Sequence, residues 1–132
     1  MATTANKTAQ TVYFKGTMGK VANPLSPLLR FSLLIHPEEN TVDGTVKLTI
    51  SNGDEEVYSG QVTGVTHASG LNDVVRLISI RGNFPPQNKF SGIVLPFEAH
   101  MALNSDWKGS GGITFRGKNY ENLPINGDTF NL

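Results

Sequence analysis

The chain has no cysteine. That absence removes disulfide bridges, thiolate zinc sites and cysteine nucleophiles together. A domain of 132 residues does without such staples, because it buries roughly two thirds of the surface its unfolded chain exposes. Net charge is missing as well, with eleven basic residues balancing eleven acidic ones. A neutral chain exerts no long-range pull on phosphate backbones or anionic lipid, which argues against nucleic acid as its main partner. No apolar run approaches the roughly 20 residues that cross a bilayer. The opening "MATTANKTAQ" lacks the apolar stretch of a signal peptide, so the expectation is a soluble protein, cytoplasmic by default. The fourteen glycines form no G-x-G-x-x-G and no phosphate loop, and no serine sits in a G-x-S-x-G elbow. No cofactor is implied, and the chain reads as a non-enzyme.

What is present is alternation. Residues 1–9 are small and polar and read as a disordered N-terminal tail. From residue 10 to 132, period-two stretches alternate with clusters of Gly, Pro, Asn and Asp, the rhythm of a single antiparallel β domain. In "TVDGTVKLTI" Val42, Val46, Leu48 and Ile50 share one face. In "LLRFSLLIH" Leu29, Phe31, Leu33 and Ile35 do so, and in "IVLPFEAHMALN" the odd positions from Ile93 to Leu103 are all apolar. Successive strand side chains point to opposite faces, so each stretch buries one face and wets the other. Helical spacing would wind such a series around the whole cylinder.

Three details qualify the pattern. Pro96 cannot donate to a ladder and predicts an edge strand or a bulge. "EVYSGQVTGVTH" changes phase between Val62 and Val65, with Gly64 placed to bulge. "DVVRLISIRG" is apolar on both faces, as in a strand covered on both sides. Eight or nine strands follow, with no helix. "HPEEN", "SNGD", "ASGLND" and "FRGKNY" read as hairpin turns. The longer "TMGKVANPLSP" and "NFPPQNKFSG" are candidate crossovers between sheets or functional loops. The predicted fold is a single antiparallel β-sandwich or flattened β-barrel with largely meander connections, which the two candidate crossovers favour over a closed barrel.

Candidate chemistry is sparse. Glu98 and His100 share a strand face and could join His67 at a metal, but such a pair at i, i+2 also describes a solvated face, and no metal is predicted. Asp43, Asp54, Glu55 and Glu56 lie in and near turns, where carboxylates are solvated. Trp107, flanked by Asn104, Asp106 and Lys108, puts a flat ring among hydrogen-bonding groups, which suits a sugar face or a partner's apolar knob. The competing role for that indole is to cover the open end of the core. Arg76, between Val75 and Leu77, either snorkels out at a sheet edge or pairs with an inward acid.

Two stretches carry a family resemblance. "PLSPLLRFSLLIHPEENTVDGTV", at Pro27, Leu29, Phe31, Leu33, Val42 and Gly44, and "SDWKGSGGITF", at Asp106 and Trp107, resemble a small bacterial all-β family known as a domain of unknown function. The turn departs from the family pattern after Trp107. The resemblance implies a bacterial source and one soluble domain, and brings no catalytic residues with it.

The functional expectation is a non-enzymatic binding or interaction domain that engages a glycan or protein partner through its loops. The alternatives are a carrier holding a small apolar ligand in a barrel cavity, and a self-assembling structural domain that forms homo-oligomers through edge strands.

Overall fold

The computed structural model describes residues 11–20, 26–52, 54–71, 74–85 and 94–131. Eight strands follow one another: β1 (Val12–Met18), β2 (Leu28–His36), β3 (Thr41–Asn52), β4 (Asp54–Leu71), β5 (Val74–Phe84), β6 (Leu95–Leu103), β7 (Gly109–Phe115) and β8 (Lys118–Asn131). Each pairs antiparallel with the next, and β8 returns to β1 along the register Val12↔Asn131 to Met18↔Ile125, which closes an up-and-down barrel. No helix among the described residues is long and apolar enough to cross a membrane.

An eight-stranded barrel has an interior just wide enough for side chains to fill, and here they do. Phe14, Leu29, Leu33, Ile35, Leu48, Ile78, Met101, Leu103 and Ile113 are essentially inaccessible. One aromatic cluster joins Tyr58, Phe84, Phe97 and Phe115, with ring centroids 4.9–5.9 Å apart. A second contact, Phe14 to Phe31 at 4.8 Å, lies toward the opposite end. Ring pairs in these geometries add about 0.5–1.5 kcal/mol beyond the area they bury.

The alternation read in β2, β3 and β6 matches burial residue by residue: Leu29, Phe31, Leu33, Ile35, Val42, Val46, Leu48, Phe97, Ala99, Met101 and Leu103 are buried, and Ile50 and Leu95 are partly so. Ile93 and the expected tail at 1–9 lie outside the described residues. The hairpin turns that can be followed use positive φ. Asn40 (φ 59) ends the β2–β3 turn, and Arg116 (φ 53) and Gly117 (φ 77) form the two-residue β7–β8 turn, as a primed turn requires. Gly53, Asn72 and Asp73, in the "SNGD" and "ASGLND" turns, lie outside the described residues.

Four expectations are corrected. The structure is a barrel, one of the two architectures expected, and it is fully closed: both long connections join neighbouring strands, β1 to β2 and β5 to β6, and neither makes the expected switch between sheets. Pro96 is on no edge strand: it is the second residue of β6, opposite Asn83 and one residue before the β6–β7 ladder begins, so no donor is asked of it on the β7 side. β4 keeps one phase through its middle, with Tyr58, Val62 and Thr66 inward and Val57 and Val65 outward. Its irregularity falls later, between Ala68 and Leu71. Gly64 is an in-phase inward position where a Cβ would run into the Ser79 carbonyl oxygen of β5. β5, in turn, is covered on one side alone: Ile78 and Ile80 are buried, while Val75 and Leu77 are 41% and 40% exposed.

β3 and β6, long enough to pair between copies if they were edges, each have neighbours on both sides. Self-pairing through those edges therefore has no free ladder to use.

Candidate functional site

One end of the barrel carries the four residues singled out around Trp107. Asn104–Lys108 form the β6–β7 loop. The Asn104 side-chain oxygen accepts from the Asp106 and Lys108 backbone N–H groups at 2.9 and 3.1 Å. The Trp107 N–H donates to the Asn104 carbonyl at 3.0 Å, and the Asn104 N–H to that of Lys108 at 2.8 Å. This lattice holds Trp107 at φ 61, a conformation costly for a bulky residue, and turns the indole back over the barrel mouth. The ring packs on Phe14 with centroids 5.1 Å apart, and the Arg76 guanidinium lies over it at 5.1 Å. Arg76 also donates through Nη1 to Thr66 Oγ1 at 3.2 Å. Among the described residues, Thr66 is the buried polar one.

The loop therefore gathers Asn104, Asp106, Trp107 and Lys108, but Asn104 is taken up by backbone donors and the indole by the core. Arg76 takes neither course foreseen for it, since its partners are a hydroxyl and a ring. Its inward phase with Ile78 and Ile80, close to the start of β5, is the signal that places a cation at a barrel mouth.

The other end closes differently. Tyr58 Oη donates to Glu56 Oε2 at 2.5 Å, and Arg116 Nη1 donates to Glu56 Oε2 at 3.0 Å and to Tyr58 Oη at 3.1 Å. Burial, reinforced by the Glu56 carboxylate, raises the Tyr58 pKa above its ordinary value, and Arg116 opposes the shift. Glu56 and Arg116 line a recess of about 310 Å³ together with Ile50, Ser51, Lys118 and Tyr120. The expected turn carboxylates do not act as a group. Asp43 pairs with His36 at 3.1 Å, and Glu56 belongs to this triad.

Other concave features lie on the outer wall. A groove of about 380 Å³ runs over β4–β7 between Thr63, Val65, Ser79, Arg81, Glu98 and His100, with Gly64 and Ala99 at its base. Arg81 and Glu98 are register partners that form no ion pair with each other, so guanidinium and carboxylate both remain open to a ligand. Val65, 43% exposed, adds an apolar strip.

His100 does not team with Glu98. Its Nε2 meets Glu121 Oε1 at 3.2 Å, with both side chains 53% exposed. Glu121 reaches it because Glu121 and Asn122 (φ 59) bulge opposite Gly112. A Cβ on Gly112 would strike both His100 and Glu121. His67 is exposed on β4, and no group of three metal-ligating side chains occurs among the described residues.

A filled, closed, eight-stranded antiparallel barrel with a grooved exterior is the class of domain these observations define. The chain belongs to the family described as a domain of unknown function (DUF1842), whose model matches residues 11–120. No curated protein matches it in sequence.

Proposed function

We propose that this barrel is a non-catalytic binding domain that takes a saccharide on its outer wall, in the β4–β7 groove. The observation that carries the reading is the unpaired Arg81–Glu98 couple set across the groove, with Ser79, His100 and Thr63 around it. A guanidinium fork and a carboxylate side by side give donor and acceptor pairs at the spacing of vicinal hydroxyls, and charge-assisted hydrogen bonds are the strong ones. Val65 offers an apolar contact for a ring C–H face. The packed rings along the axis support an exterior site over a cargo space within the barrel.

A glycan array followed by calorimetry tests the reading. Glu98→Gln and Arg81→Ala should each weaken a detected saccharide by about tenfold or more, the loss of one charge-assisted contact. Trp107→Phe should leave it unchanged. An array without a binder, or affinity indifferent to both groove substitutions, removes the proposal.

A further inference from the structure

The opposite wall carries a different surface. Lys15 on β1, Arg30 on β2, Lys47 on β3 and Lys108 in the β6–β7 loop are all exposed. Arg30 and Lys47 are direct register partners. Thr17 faces Arg30 and Lys15 faces Ser32 one step along, so Lys15 stands diagonally from Arg30. Like charges placed directly across a sheet repel and destabilise the pair. None of the four cations closes an ion pair with a described residue. Asp128 comes nearest in register, opposite Lys15, and forms no ion pair with it. Acids equal bases in number in this chain, yet here four cations stand with one acid, Asp128.

The same wall is concave. Two grooves, about 480 and 450 Å³, meet at Arg30 and Ser32. One extends past Lys15 to Lys108 and the other past Lys47 to Gln61. Glycines in the inward phase line each of them, Gly16 and Gly127 in one and Gly60 in the other. At Gly16 a Cβ would collide with the Asn126 carbonyl oxygen of β8. Between the cations the polar lining is hydroxyl and amide, Thr17, Ser32, Thr45, Ser59, Gln61 and Asn126, with Asp128 the one carboxylate, at the β8 side. Neighbouring strands lie about 4.8 Å apart, so the track crosses β8 to β4 as an extended channel.

We infer that this wall binds an anionic polysaccharide, a chain of sugars bearing carboxylate or sulfate groups. Its charges lie on Lys47, Arg30, Lys15 and Lys108, and its hydroxyls exchange hydrogen bonds with the Ser, Thr and Gln side chains. Single-stranded nucleic acid fits less well, because it requires aromatic platforms for its bases, and the one aromatic in these grooves, Phe31, is buried with 3% exposure. An acidic peptide strand would need a free sheet edge for its main chain, and β1, β2 and β3 have neighbours on both sides. The inference does not depend on the β4–β7 groove.

Fluorescence anisotropy on the full chain tests it, with labelled oligogalacturonate and labelled sulfated dextran as probes. Neutral dextran, a single-stranded oligodeoxynucleotide and poly-glutamate serve as comparisons. Saturable binding of an acidic saccharide is expected, falling steeply with added salt as counterion release demands. The double variant Arg30→Gln/Lys47→Gln should weaken it by about tenfold or more, one charge-assisted contact at the least. Its melting temperature should stay level or rise, because the substitutions relieve repulsion. No binding of either acidic probe at low salt overturns the inference. So does undiminished binding by the double variant, or tighter binding of the oligodeoxynucleotide or poly-glutamate. Equal binding of neutral dextran would sink this inference while leaving the β4–β7 proposal standing, because that groove needs no anion.

Discussion

The two ends of this barrel solve one problem in two ways. At each, an arginine sits over the aromatic side chains that stop the core. Arg76 covers Trp107 and bonds a neutral hydroxyl, Thr66. Arg116 joins a carboxylate and a phenol, Glu56 and Tyr58. The first closure is a lid, a single indole held from a loop. The second is continuous with the interior, since Tyr58 packs on both Phe84 and Phe115. The lid should be cheaper to remove and indifferent to pH, whereas the triad should respond to both pH and salt.

The largest effect that separates them is on folding stability. Phe84→Ala should cost about 3–5 kcal/mol, the usual loss for a buried aromatic, because Phe84 touches Tyr58, Phe97 and Phe115. Trp107→Ala should cost about 2 kcal/mol, since its indole is only half-buried and its removal unroofs Phe14 without hollowing the core. Urea denaturation of both variants checks the contrast, and equal losses would erase it.

A smaller effect concerns pH. The Tyr58 pKa is raised by folding, so above its ordinary value of about 10 the unfolded chain gives up this proton while the native one keeps it. That difference stabilises the fold fully below about pH 10 and is lost as pH rises through the folded value. Wild-type stability minus that of Tyr58→Phe should therefore be flat from pH 7 to 9 and shrink above 10. A difference that grows with pH there would contradict the triad.

The smallest effect is at the lid. Arg76→Met should cost about 1 kcal/mol, the scale of a partly exposed cation–π contact, with little salt dependence. Arg116→Met, which breaks an ion pair with half-exposed partners, should cost less as salt is added. Thermal melts at low and high salt compare them.

How much of this was legible depended on which residue type filled the inward positions. In β2, β3 and β6 those positions are aliphatic or aromatic, and alternation named them one by one. In β4 they are Tyr58, Gly60, Val62, Gly64 and Thr66. Glycine and threonine disguised the phase, and Val65 invited the wrong one. A barrel was legible as one of two architectures, but the pair that closes it was not, because nothing local in β1 or β8 states that they pair with each other. The Trp107 loop was visible as an aromatic in a turn, and its role as core cover was one of two readings open at that stage. The outer grooves escaped, since Arg81 with Glu98, and Arg30 with Lys47, become neighbours through register across strands, which no spacing along the chain displays.

The seam between β1 and β8 also bears on how the molecule reaches its shape. Every other ladder joins strands adjacent in sequence and can zip from its own turn. This one joins Val12 to Asn131, almost the whole chain apart, so its entropy of closure must be met before any contact rewards it. The meander assembles as a curling ribbon, and the cylinder exists only once its first strand and its last have found each other.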